Sequence, residues 1–469
     1  MFRRPTLPKA SPPLPAYSAR TLPGWWSLAR SRSLAHERTL PRRLATSAAL
    51  ALTALPASAA LVALTAAPAD AARPAPSPSA YPAQVAYRPS PAHRSRRPRR
   101  ARTHGPRRPA RTHRRVKPRP HPKRPPLRGY AARAQDAYRA MQRVFYLPSA
   151  RLYRGSPYSY LWPYSQALAA TISMAGVPGA SRGYRRHVAE RLAGLESYWG
   201  ASRQPPAYEG AVTPPLGPGG QTFYDDNAWV GLELVRLYRT DRQTGHLARA
   251  REIFSAIIAA WDADPTHGCP GGIPFSDSPR NDQRNTVTGA PAAELGVRLY
   301  ELTADRSTLE WAKKMYDWVR DCLAQAGGLY GDHVAPDGTV DATTWSYNQG
   351  TMVGAGVLLW RATGQASYLS DATETAEAAL IHFDAGRLHR EPAFFVSVYF
   401  RNLLLLDAVR PDPGYRQALR SYADWAWRRV RQPASGLYTF GPNGTVQLLD
   451  QAAMVNLDGL LASSINTYF

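Results

Sequence analysis

Helical periodicity dominates the chain from about residue 130 onward. Amphipathic segments, in which apolar residues return every three or four positions, alternate with segments that are apolar on nearly all sides and rich in small residues. The amphipathic segments predict half-exposed helices at 131–145, 184–198, 247–261, 309–323, 368–383 and 415–430. The apolar segments predict buried helices, among them 226–238, 290–302, 349–361, 394–408 and 451–463.

A repeat underlies this alternation. Short loops, most of them containing glycine, precede the buried helices, and their centres are 50 to 63 residues apart along the chain. A regular period of that length indicates a repeat architecture. Twelve helices, alternately half-exposed and buried, with few strand signals, predict an all-α fold: an (α/α)6 toroid of six inner and six outer helices. The long loops that lead into the inner helices are expected to form a cleft at one face.

The charge of the chain lies in its N-terminal part. The sequence has 59 Lys and Arg against 34 Asp and Glu, a formal net charge of +25. Residues 1–128 contain 27 of the basic residues and two acidic ones, so the remaining 341 residues are neutral. A nucleic-acid-binding domain carries its basic patch on the folded surface, so we expect no nucleic-acid partner.

Three segments follow from this composition. Residues 1–72 predict a secretory signal peptide with a long n-region, because an uncharged run at 44–69 lies between Arg42-Arg43 and an Ala-x-Ala site. The run is also long enough for a membrane anchor, although its low content of Leu, Ile and Phe favours cleavage. Residues 73–128, with 18 basic residues, 14 prolines and no acidic residue, predict a disordered linker. Residues 129–469 are expected to form the toroidal domain.

The basic linker has two possible roles. It either adheres to an anionic cell-wall polymer by electrostatic attraction or serves only as an extended, solvated spacer. With the signal peptide, this composition predicts a protein that is secreted or associated with the cell wall. We expect a monomer.

Two adjacent carboxylates, Asp225 and Asp226, stand where a long Gly- and Pro-rich loop meets a buried helix. Two like charges this close separate their pKa values, so that one group is ionised while the other holds a proton. Glycoside hydrolysis requires such a pair. The same residues also fit ordinary helix-start chemistry, with Asp225 as the N-cap followed by an acidic first residue.

Four stretches resemble glycoside hydrolase family 76, the endo-α-1,6-mannanases. They read YDDNAWVGL at 224–232, NTVTGAP at 285–291, WSYNQG at 345–350 and LHRE at 388–391, and the resemblance covers roughly 130–465. It implies a retaining, endo-acting hydrolase of α-1,6-linked mannan on an (α/α)6 toroid. Asp225 would be the nucleophile and Asp226 the general acid/base.

The resemblance and the loop positions suggest a set of substrate contacts. Amides can bind sugar hydroxyls, aromatic rings can stack on sugar faces, and a further carboxylate can serve as a subsite ligand. The expected residues are Tyr224, Asn227, Asn285, Trp345, Tyr347, Asn348, Gln349 and Glu391. The family's Phe-Lys-Gly stretch at the fifth inner helix reads Phe395-Val396-Ser397 here, which predicts different subsite contacts.

Cys269 and Cys322 either form a disulfide or are separate buried thiols. His267 and His333 lack the spacing of a metal site, so we expect neither a metal nor another cofactor. Two alternative functions stay open: another toroidal carbohydrate enzyme, such as a lyase, epimerase or unsaturated uronyl hydrolase, and a non-catalytic glycan- or wall-binding protein. The intact Asp pair argues against the second alternative.

Overall fold

A computed structural model describes residues 127–440 and 445–464. The predicted signal peptide, nearly all of the basic linker and the considered membrane anchor lie outside these residues. No helix within the described part is long and apolar enough to span a bilayer. The described residues form thirteen helices: α1 (Gly129–Phe145), α2 (Leu161–Gly176), α3 (Ser181–Leu195), α4 (Tyr224–Asp241), α5 (Thr244–Ala259), α6 (Thr286–Thr303), α7 (Arg306–Leu323), α8 (Ser346–Thr363), α9 (Ala366–His382), α10 (Ala385–Leu388), α11 (Ala393–Val409), α12 (Pro413–Arg429) and α13 (Leu448–Ala462).

Six of these helices form a closed inner ring. In the order α2, α4, α6, α8, α11 and α13, each packs against the next, and α13 packs back against α2. The outer helices α3, α5, α7, α9 and α12 pack against the inner helices that precede them in sequence. The first outer helix, α1, packs against α13, so the two ends of the domain close the ring. This arrangement confirms the predicted (α/α)6 toroid.

Small residues allow the inner helices to approach closely. A Cβ atom added to Gly350 of α8 would lie 2.6 Å from the backbone of Tyr399 in α11, which is far inside van der Waals contact. Apart from the half-buried Tyr224, the residues of the first turns of α4, α6 and α8 are buried. The apolar pattern without an exposed stripe therefore indicated the inner ring correctly.

Within residues 127–440 and 445–464, seven two-residue strands pair in the loops at one end of the toroid. They are β1 (Tyr146–Leu147), β2 (Leu152–Tyr153), β3 (Trp199–Gly200), β4 (Ala207–Tyr208), β5 (Arg284–Asn285), β6 (His333–Val334) and β7 (Val340–Asp341). β1 pairs with β2 and β3 with β4, all antiparallel, while β5, β6 and β7 form a three-stranded antiparallel sheet. In that sheet Asn285 is opposite His333, and His333 is opposite Asp341.

The two cysteines form a disulfide. Cys269 lies in the loop between α5 and α6, and Cys322 lies in the last turn of α7, with their Cα atoms 6.1 Å apart. Of the two possibilities left open by the sequence, the structure therefore has the bonded pair. The bridge connects the loop that leads to Asn285 with the helix that precedes the next loop of the cleft.

Candidate active site

The N-terminal ends of the inner helices meet at one end of the toroid. At the opposite end, inner and outer helices are joined by short turns, for example 242–243, 304–305 and 364–365. At the N-terminal end the connections are long, for example 196–223, 260–285 and 324–345. Side chains from the first turns of the inner helices and from these loops therefore face a common cleft.

The Asp pair lies in the first turn of α4. The N-cap of this helix is Phe223, and Asp225 and Asp226 are its second and third residues. The alternative in which Asp225 caps the helix is therefore wrong. Both side chains are buried, with 8% and 6% of their surface exposed.

Burial raises the pKa of both carboxyls of this pair, and the repulsion between their charges separates the two values. The pKa of Asp225 is raised by burial to about 7, against the lowering effect of the backbone N–H groups of Asp225 and Asp226. The pKa of Asp226 is raised well above its usual range, first by burial and then by the negative charge of Asp225. Because the two negative charges repel each other, the pair loses one proton before the other, and the backbone N–H groups at the start of α4 favour the ionised form at Asp225. The site thus contains an ionised carboxylate beside a carboxylic acid.

Two of the amides predicted to bind substrate hold loops instead. Oδ1 of Asn227 accepts a hydrogen bond from the N–H of Tyr208 (2.9 Å), and its Nδ2 donates to the carbonyls of Tyr208 (2.9 Å) and Phe223 (2.8 Å). Gln349 has the same pattern with the backbone of Tyr330 and the carbonyl of Trp345. Both side chains are fully buried. The predicted substrate contact does not fit this placement, because the amide atoms are already bonded to backbone groups.

Asp332 was not identified from the sequence. It is buried in the loop before α8, accepts a hydrogen bond from Nδ2 of Asn348 (3.3 Å), and lies 3.0 Å from Nδ1 of His333. Its charge also contributes to the raised pKa of Asp225, so the two carboxyls are close. The only sequence signal is that an aspartate follows the fourth repeated loop, Gly328-Leu329-Tyr330.

Asp332, His333 and Asp341 could together hold a cation, since ligand atoms from the three residues lie within 4.8 Å of one another. However, one oxygen of Asp332 already contacts Asn348 and the other contacts His333. We therefore interpret this group as a hydrogen-bonded network beside the Asp pair.

The aromatic candidates surround the cleft at different depths. Tyr347 is buried and stacks on Phe395, with ring centroids 3.8 Å apart. Its pKa is raised first by burial and then by the negative charges of Asp332, Asp225 and Glu391. Trp345, the N-cap of α8, is half-buried and packs edge-on against Phe395.

Three further candidates lie at the ends of inner helices. Tyr224 is the half-buried first residue of α4. Asn285 is the buried N-cap of α6, and its N–H donates to Oγ1 of Thr288 (3.3 Å). Oε2 of Glu391 accepts hydrogen bonds from the N–H (3.1 Å) and the hydroxyl (2.9 Å) of Ser346, so this carboxylate holds the start of α8. Burial raises the pKa of Glu391.

Trp162 at the start of α2 is a neighbour that the sequence did not indicate. It is half-buried and packs against Trp229 of α4, with ring centroids 5.7 Å apart. A backbone group of Trp162 also lies within hydrogen-bonding reach of Asp226 and lowers the pKa of that carboxyl. The first inner helix therefore closes one side of the Asp pair.

Comparison with known proteins gives a consistent family. The model of glycosyl hydrolase family 76 matches residues 130–430. The mannan endo-1,6-alpha-mannosidase DCW1 of Saccharomyces cerevisiae is 26% identical over 175 residues, which are 35% of this chain and 38% of that protein. DFG5 of the same yeast, also a mannan endo-1,6-alpha-mannosidase, is 24% identical over 193 residues, 36% of this chain and 42% of that protein. The matches thus span about two fifths of these curated relatives.

Solved structures share the fold. The family 76 mannosidase Bt3792 of Bacteroides thetaiotaomicron has a TM-score of 0.63 at 23% identity, covering 71% of this chain and 98% of its own. The GH76A α-1,6-mannanase of Salegentibacter sp. HEL1_6 has a TM-score of 0.58 at 22% identity, covering 71% of this chain and 100% of its own. An inactive variant of that mannanase was solved with α-1,6-mannotriose.

Proposed function

This chain belongs to glycosyl hydrolase family 76, and we propose that it is an endo-acting hydrolase that cleaves α-1,6-linked mannan with retention of configuration. The observation that carries the proposal is the Asp225–Asp226 pair, two adjacent carboxyls buried in the first turn of α4 at the N-terminal end of the inner ring. The relatives that match are mannan endo-1,6-alpha-mannosidases, which supports the substrate class.

In the first step, a carboxylate oxygen of Asp225 forms a bond with the anomeric carbon as the glycosidic C–O bond breaks. Asp226 donates its proton to the departing oxygen, which leaves as a free hydroxyl. In the second step, the Asp226 carboxylate takes a proton from water, and the water oxygen displaces Asp225 from the anomeric carbon. Two displacements at one carbon give overall retention, which requires carboxyls roughly 5–5.5 Å apart.

The remaining cleft residues supply binding. We assign contacts with sugar hydroxyls to Asp332, Asn348 and Asn285, and contacts with sugar rings to Tyr224 and Trp345. A purely glycan-binding protein does not require two adjacent carboxyls with separated pKa values, whereas a retaining hydrolase requires one ionised carboxyl beside one that holds a proton. The Asp pair therefore favours hydrolysis over binding alone.

The test is incubation of the purified protein with linear α-1,6-mannan, with product sizes followed by chromatography and the anomeric configuration followed by proton NMR. Internal cleavage with a newly formed α-anomer is expected. Release of the β-anomer would contradict the roles of the Asp pair, and absence of cleavage would contradict the substrate. Asp225→Asn is the matched variant, and it should abolish turnover without unfolding the domain.

The proposal extends to location. We propose that the protein is exported and that residues 73–128 attach it to an anionic cell-wall polymer. Deleting this segment should leave turnover of soluble oligosaccharides unchanged and reduce adhesion to cell walls, most of all at low salt, where charges are least screened. Equal adhesion of both forms would leave the segment as a spacer only.

A further inference from the structure

The last inner helix begins in the same way as α4 and α8. Oε1 of Gln451 accepts a hydrogen bond from the N–H of Tyr438 (2.9 Å), while its Nε2 donates to the carbonyls of Tyr438 (2.8 Å) and Gln447 (3.2 Å). Asn227 and Gln349 make the same three contacts with their own loops. In all three helices this amide is the fourth residue. The three helices are therefore rotated in the same way about their axes relative to the loops that they contact.

The residue before the amide therefore has an equivalent direction in each helix, since successive helical residues are about 100° apart. That residue is Asp226 in α4, Asn348 in α8 and Asp450 in α13. Asp226 and Asn348 belong to the cleft. The equivalence places the carboxyl of Asp450 toward the same cleft, from a helix two places away from both α4 and α8 in the ring.

Asp450 has no protein partner that would explain its burial. Only 4% of its surface is exposed, and it makes no hydrogen bond or ion pair with the described residues. Burial alone raises its pKa, to about 7. A carboxyl in this state costs free energy unless something else supplies hydrogen-bond donors.

Two other polar groups lie at this corner of the cleft. Tyr422 of α12 is buried, and its hydroxyl has no partner among the described residues. Its pKa is raised mainly by burial and further by the negative charges of Asp450 and Glu391. Glu391 uses Oε2 to hold Ser346, while Oε1 makes no hydrogen bond with the described residues. Tyr422 thus lies within electrostatic range of both carboxyls, and each of the three groups has unused hydrogen-bonding capacity toward the described residues.

We propose that Asp450, with Tyr422 and Glu391, forms a second sugar subsite that binds hydroxyls of a mannosyl unit other than the one being cleaved. The proposal rests on the proposed function. A neutral sugar fits because its hydroxyls donate to carboxyls, whereas an anionic sugar would be repelled. Asp450 and the Asp pair stand on different inner helices that are not neighbours, since α2 lies between α13 and α4 in the ring.

The test compares α-1,6-manno-oligosaccharides of increasing length with the parent enzyme and the Asp450→Asn variant. Loss of a hydrogen bond to a charged group is expected to raise KM roughly tenfold for substrates long enough to reach the corner, while kcat and the KM of the shortest cleaved substrate stay unchanged. Tyr422→Phe should show the same length dependence with a smaller change in KM.

Asp458→Asn is the matched control. Asp458 lies on the same helix, is fully buried, and has two unpartnered carboxylate oxygens, but the charged groups near it are Arg133 and Asp424. Its substitution should leave KM unchanged at every length. A loss of activity in Asp450→Asn that is uniform across lengths would overturn the inference and indicate a structural role. An active parent with an unchanged Asp450→Asn profile overturns this inference alone, whereas a parent inactive on α-1,6-mannan overturns the proposed function as well.

Discussion

Removal of the Cys269–Cys322 disulfide should destabilise the domain and loosen the cleft together. The bridge closes a loop of 53 residues. In the chain-entropy model, losing a cross-link of that length costs about 4 kcal/mol at 25 °C. A folded body of about 340 residues unfolds with an entropy of about 0.7 kcal/mol/K, so the expected fall in Tm is about 6 °C.

The position of the bridge adds a functional consequence. Cys269 lies in the loop that leads to Asn285, and Cys322 lies just before the loop that carries Asp332. Loosening these two cleft loops should raise KM for mannan more than it lowers kcat, because the Asp pair stands on a different helix.

The assay uses Cys269→Ser/Cys322→Ser and the parent protein. Thermal unfolding by circular dichroism, with and without reductant, gives Tm, and oligosaccharide kinetics give KM. The parent should lose about as much in Tm under full reduction as the double variant loses without it. The prediction is wrong if the parent has the same Tm with and without reductant and the double variant has that Tm as well.

Three further predictions follow from the titratable groups. In the proposed mechanism Asp225 attacks as a carboxylate, and burial raises its pKa to about 7, so kcat/KM should fall as the pH drops through about 7. Asp332→Asn removes a charge that raises this pKa, and the acid limb of the pH profile should therefore move to lower pH. Asp226→Asn should slow mannan cleavage by about 10²–10⁴-fold. The first step with activated aryl mannosides should be spared, because their leaving group needs little protonation, and added azide should restore the second step. Cleavage of mannan at the parent rate would exclude Asp226 as the acid. Burial raises the pKa of Asp458 well above the usual range, so the folded protein loses stability as the pH rises above about 4, the pKa of an aspartate in the unfolded chain. Asp458→Asn should therefore gain stability relative to the parent, by up to about 1.4 kcal/mol for each pH unit above that value. A difference in the free energy of urea unfolding that stays constant between pH 4 and 8 would contradict this.

The local pattern of the sequence was enough for the architecture. Helix periodicity depends on neighbouring residues, and a repeat of 50 to 63 residues forces equivalent units to stack, so the alternation of inner and outer helices was readable without coordinates. The Asp pair was readable for the same reason, since Asp225 and Asp226 are adjacent and stand at a helix start.

Partners that are distant in sequence required the tertiary structure. Asn227 and Gln349 looked like sugar ligands, but each is bonded to a backbone 19 residues earlier, and only the loop conformation shows this. Asp332 approaches Asp225 across 107 residues, and no local pattern encodes that proximity. Asp450 became a candidate only after α13 was aligned with α4 and α8 through their shared amide contacts.

The sequence by itself thus determined the helices, their repeat and the position of the adjacent carboxyls Asp225 and Asp226 at a helix start, because those depend on short-range periodicity and on neighbouring residues. The tertiary structure decided how α1 and α13 close the ring, whether the two cysteines bond, and how far burial raises the pKa of each carboxyl. The physical reason is that desolvation and hydrogen bonding are properties of an environment assembled from distant segments, and that environment exists only once the ring is closed.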